Sequence, residues 1–209
     1  MIGPFYRAGT TYNTSPIQVY DHDWPSWADG VAIPHGIYDI TQNKGYIQLG
    51  TSRDTTEFAC DCLFTWWKTY GQYLYPTATS LLVLCDGGGS NGSRFHIFKQ
   101  DLQQLADDLT LEIRIAHYPP YTSKYNPIEH RLFPHLSRVC QGIAFESVEM
   151  VRDLMATAST QTGLEVFTSI IDAVYETGRK ASTAFIDNMP IVFDELLPAW
   201  NYVAQPQQQ

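Results

Sequence analysis

Asp86 and Glu129 are the two side chains whose settings suggest chemistry. Asp86 closes the apolar run Leu-Leu-Val-Leu-Cys-Asp (81–86) and is followed by Gly87, Gly88 and Gly89. Such a run reads as a buried strand that delivers a carboxylate to its C-terminal edge and then turns sharply. Glu129 lies in Asn-Pro-Ile-Glu-His-Arg (126–131), behind a stretch of prolines and turn residues, where a helix opens. The two acids are 43 positions apart, room for one helix and one parallel strand between them. An Asp on a strand end and a Glu on a following helix can then meet at one metal site. Carboxylate oxygens are hard ligands that suit Mg²⁺. Two divalent ions about 3.5–4 Å apart activate a nucleophile and stabilise a leaving oxygen in phosphoryl transfer. Each acid also has a plainer reading. Asp86 could cap a turn, and Glu129 could be an ordinary first-turn acid favoured by the helix dipole.

Other chemistries find little support. Cys60 and Cys62 have no nearby Cys or His pair with zinc spacing. Ser90 follows glycines but lacks the G-x-S-x-G elbow of a serine hydrolase. The loop 87–92 lacks the Gly-Lys-Ser/Thr ending of a nucleotide P-loop. The four cysteines form no disulfide framework, which fits buried thiols in a reducing cytoplasm. No apolar run approaches the roughly 20 residues that span a membrane, and no signal peptide is seen. With 209 residues, 44% hydrophobic and 17% charged, the chain should build a globular core. The net charge of −9 runs against nucleic-acid binding, since proteins that grip DNA usually present a basic face. A site made of carboxylates is acidic by construction, however, and Lys124, Arg131 and Arg138 gather around Glu129.

The elements that must position these acids can be read from periodicity. Residues 1–34 have little pattern and read as loop or edge structure. Residues 36–40 and 46–49 are β-prone and joined by Gln42-Asn43-Lys44-Gly45, a hairpin turn. Asp54 with Glu57 reads as a helix start, and Phe58, Cys62, Phe64, Trp66 and Trp67 give that helix an apolar face to about Tyr70. A strand at 81–85, a helix at 94–108, an alternating strand at 111–116 and a helix at 127–139 follow. Further helices are expected at 147–157 and at 181–197, the latter interrupted by Pro190. The expected organisation is an irregular segment 1–34, an α/β core 35–160 and a C-terminal appendage 161–209.

The stretch Pro-Pro-Tyr-Thr-Ser-Lys-Tyr-Asn-Pro-Ile-Glu-His (119–130) resembles the glutamate motif of mariner-like DDE transposases. With Asp-His-Asp-Trp (21–24), Pro-His-Gly-Ile-Tyr-Asp (34–39), Asp-Thr-Thr-Glu-Phe-Ala (54–59) and Glu-His-Arg-Leu-Phe (129–133), the resemblance narrows to the Rhodopirellula transposase DDE domain family. It runs from about residue 2 to 202. Where that family commonly has Gly, Trp and Lys, this chain has Tyr121, Tyr125 and Pro127.

The resemblance implies a ribonuclease-H-like mixed sheet flanked by helices, and DNA strand cleavage and transfer with Mg²⁺ or Mn²⁺. Asp86 would be the second and Glu129 the third catalytic, metal-binding carboxylate. Lys124, Asn126, His130 and Arg131 would contact DNA. The partners would be transposon ends and target DNA, with a homo-oligomer in the intact protein, in a bacterial cytoplasm at the nucleoid and with no membrane. The first carboxylate belongs on a central strand upstream of the hairpin, and that strand is expected to be missing by N-terminal truncation. Asp21, Asp23 and Asp39 are the available substitutes, Asp39 the nearest to the lost strand. The rival expectation is an inactive remnant that only binds DNA or oligomerises, and a third is a nuclease of the same fold.

Overall fold

A computed structural model describes residues 1–88, 92, 95–119 and 121–207. Gly89, Ser90, Arg94 and the final Gln208-Gln209 lie outside the described residues. In chain order the strands are β1 (Ile33–Asp39), β2 (Lys44–Gly50), β3 (Ser80–Asp86), β4 (Glu112–Tyr118), β5 (Glu165–Ile171), β6 (Val192–Phe193) and β7 (Asn201–Ala204). The helices are α1 (Thr56–Trp66), the single turn α2 (Gln72–Leu74), α3 (His96–Leu109), α4 (Ile128–Arg131), α5 (Phe133–Val139), α6 (Val148–Ala156) and α7 (Thr183–Asp187). The chain divides into two compact units, Met1–Arg53 with Pro127–Val174, and Asp54–Asn126 with Tyr175–Gln209. Each holds one mixed sheet flanked by helices, an α/β architecture compatible with the ribonuclease-H-like fold.

In the first unit the sheet order is β1-β2-β5, with β1 antiparallel and β5 parallel to β2. The hairpin turn forms where the sequence places it. Asn43 takes a φ of +54°, and the Asp39 carboxylate accepts from the Thr41 and Gln42 amides at 3.0 Å each. Ile47 and Leu49 of β2 pack with Leu132, Leu136, Val151 and Met155 from the helices to form the core. The Ser147 hydroxyl caps α6 by accepting from the Met150 amide.

The helix expected over 127–139 is two helices. It breaks at Leu132, whose φ of −127° leaves the helical region. Pro134 explains the break, since it has no N–H for the His130 carbonyl four residues back. Both pieces are pinned to the sheet. A methyl group placed on Gly36 would meet Phe133 and Ile128, and one on Gly45 would meet Leu132. These glycines let α4, and with it Glu129, lie close on the hairpin.

In the second unit the sheet order is β3-β4-β7-β6. β3 and β4 are parallel, while β7 runs antiparallel to both β4 and β6. α3 packs Phe98, Leu102 and Leu105 onto the β4 face that carries Ile113, Ile115 and His117, and α1 packs on α3. α1 starts one residue later than expected. Thr55, not Asp54, is its cap, accepting from the Phe58 amide.

Three expectations differ here. The run 81–86, expected as a buried strand, is partly exposed, with Leu82 58% and Leu84 37% exposed. They point away from the face covered by α3. The segment 161–209, expected as an appendage, supplies β5 to the first sheet and β6 and β7 to the second. Past Pro190 the chain is extended as β6 rather than helical. Among the described residues, β1 and β3 are end strands with a partner on one side each.

Candidate active site

Asp86 is the last residue of β3, as its sequence suggests, and lies in the second unit. The parallel register sets it beside Tyr118, the last residue of β4. From there the chain doubles back through successive tight turns. Thr122 N–H donates to the Pro119 carbonyl, Tyr125 N–H to Thr122 and Asn126 N–H to Ser123. Parallel neighbours end at the same sheet edge, so these turns return Asn126 to the end of β3. There the Asn126 Nδ2 donates to Asp86 Oδ1 at 3.3 Å.

Asp86 is also fixed from behind. His117 is buried, and its Nδ1 lies 3.2 Å from the Asp86 carbonyl oxygen while its Nε2 lies 2.8 Å from the Tyr202 hydroxyl. A carbonyl only accepts, so Nδ1 carries the proton and Nε2 accepts from Tyr202. Burial lowers the His117 pKa, partly opposed by the bond to the Asp86 carbonyl. The ring is therefore neutral at pH 7 and suited to this pattern. Burial pushes the neighbouring Cys85 thiol up to about 12 and the Tyr202 phenol upward as well. Cys85 Sγ sits 3.4 Å from His117 Nδ1. Trp200 crosses the turn after Asp86, 3.1 Å from where a side chain on Gly87 would begin.

The sequence reading missed His117, Trp200 and Tyr202. His117 had a signal, because it continues the inward alternation of Ile113 and Ile115. Tyr202 had none, since it lies 85 positions from its partner.

Glu129 is a half-buried first-turn residue of α4 in the first unit. His130 and Arg131 follow it and are exposed. Lys124 is exposed in the second unit, its Nζ 5.0 Å from the centre of the Tyr125 ring. Asn126, expected as a DNA contact, is 6% exposed and its Nδ2 faces Asp86.

The three substitute aspartates are occupied elsewhere. Asp39 caps the hairpin turn, Asp23 pairs with Arg7 at 2.7 Å, and Asp21 pairs with His22 at 3.1 Å on the surface. Among the described residues, no three His, Cys, Asp or Glu side chains gather as a metal-holding group. What Asp86 offers is a hard oxygen ligand. The softer donors behind it, Cys85 and His117, are buried and bound to one another. A carboxylate oxygen is a donor that suits a hard divalent ion.

The profile of a family described as Rhodopirellula transposase DDE domain matches residues 1–206. The chain belongs to this family. No curated protein and no solved structure matches the chain. Membership identifies a transposase domain, a class that acts on DNA and generally uses divalent metals. Among the described residues of this transposase domain, no helix is long and apolar enough to cross a membrane.

Proposed function

We propose that this transposase domain cuts DNA at transposon ends and joins them to target DNA, with Asp86 and Glu129 as two of the carboxylates that hold Mg²⁺ or Mn²⁺. The observation that carries the reading is Asp86, which ends β3 inside a chain matched to the family over residues 1–206. The bound ions would activate the attacking water or 3′-hydroxyl and stabilise the leaving oxygen. The chain's own part is to orient. Asn126 and His117 hold Asp86, α4 carries Glu129, and the exposed Lys124, His130 and Arg131 meet phosphates. Each lost phosphate contact should lower the salt dependence of DNA binding by about one counterion. On this reading the transposase works as a homo-oligomer on two DNA ends.

The first carboxylate, on this reading, comes from a further strand. β1 and β3 are end strands whose outer edges lack partners among the described residues, and such edges readily accept another strand. The occupied Asp21, Asp23 and Asp39 also favour a second reading for the chain by itself, an inactive remnant that binds DNA or oligomerises.

Nicking of supercoiled plasmid with Mn²⁺ separates the two readings. The chain alone should nick weakly or not at all. The chain extended upstream by an Asp-bearing strand of about ten residues, long enough for an ordinary strand, should nick. Asp86→Asn and Glu129→Gln should each abolish that activity. Nicking that survives both substitutions would overturn the assignment.

A further inference from the structure

We propose that Asn126 is a positioning residue for Asp86, acting with His117 as a two-point clamp that presents the Asp86 carboxylate to a divalent cation. The inference rests on the reading of Asp86 as a metal ligand and assigns the role of the groups around it. Metal-binding carboxylates commonly need such outer partners, because an unrestrained carboxylate spends its affinity on ordering.

Three observations carry it. Asn126 is buried, so its carboxamide must find partners inside the protein. One of its N–H groups donates to Asp86 Oδ1, the oxygen it would hold still beside the cation. At 3.3 Å that bond is slightly longer than the usual range, with room to tighten as charge gathers at the carboxylate. The second point of the clamp is independent of the first. His117 takes the Asp86 main-chain carbonyl and is itself fixed by Tyr202. Backbone and side chain of Asp86 are thus held by residues from two different segments.

The local sequence explains why Asn stands there. Asn126 is extended, with φ −73° and ψ 117°, as the residue before a proline prefers to be. Pro127 therefore sets the backbone from which the short carboxamide reaches β3. Asp at this position would bring a second negative charge to Asp86 and no donor. Gln would keep the donor on a longer arm.

The test titrates Mn²⁺ alone into the full chain and follows paramagnetic broadening of the Asp86 and Gly87 amide signals. Wild type should broaden these signals selectively at millimolar Mn²⁺. Asn126→Leu keeps the volume and removes the donor. It should weaken the effect about tenfold, the lower end of what outer-partner changes cost, while distant amide shifts and the Tm stay as in wild type. Asn126→Gln should recover part of the loss, which a purely space-filling role would not produce. Should Asn126→Leu fail to fold, Asn126→Ala is read the same way. Equal Mn²⁺ response in wild type and Asn126→Leu, with the response abolished in Asp86→Asn, would overturn the positioning role and leave the metal reading standing. An Mn²⁺ response unchanged by Asp86→Asn would overturn both.

Discussion

At the scale of single residues, the backbone poses a cost at Tyr121. Its φ is +65°, in the left-handed region that glycine enters freely. The side chain is fully exposed, so packing does not compensate. Tyr121→Gly should therefore raise stability by about 1 kcal/mol, the scale of the left-handed penalty for an L-residue. Urea unfolding measures it, and a lower midpoint for the variant would contradict the argument. Asp39 teaches the opposite lesson. Its acid type and its place beside the open edge made it a candidate first carboxylate, but its oxygen is committed to the Thr41 and Gln42 amides. Residue type alone could not separate a turn cap from a ligand.

At the scale of elements, what the sequence revealed was local. The hairpin, α3, β4 and α6 follow from turn residues, alternation and a serine cap, all written within a few positions. Asp86 at a strand end and Glu129 in a first helical turn were legible for the same reason. What stayed hidden depends on distant partners. β7 is four residues long, too short for a periodic signal, and gains its identity by pairing with β4. The clamp on Asp86 joins residues 31, 40 and 85 positions apart. The break between α4 and α5 was legible in principle from Pro134. The seating of α4 and α5 on the hairpin gives a direct test. Gly45→Ala would push Leu132 out of place, and such overpacking costs about 1–3 kcal/mol. Leu132→Ala made alongside should relieve part of it, so that the double mutant loses less than the sum of the two single losses. Strictly additive losses would mean that Gly45 does not set this contact.

At the scale of the whole molecule, the end strands of the two sheets matter most, β3 above all. β3 has Leu82 and Leu84 exposed beside an edge that is unpaired among the described residues. Edges of this kind pair with other chains. Sedimentation velocity should find concentration-dependent self-association, reduced by Leu82→Lys. A monomer at all concentrations would contradict the argument from this edge. The central proposal is that Asp86 and Glu129 are both metal-binding carboxylates, and iron-directed backbone cleavage tests it most directly. Fe²⁺ with ascorbate and peroxide, added to the full chain, should cut near Asp86 and near Glu129, and Asp86→Asn and Glu129→Gln should each weaken the cut at the substituted position. Cutting that neither substitution changes would contradict the proposal.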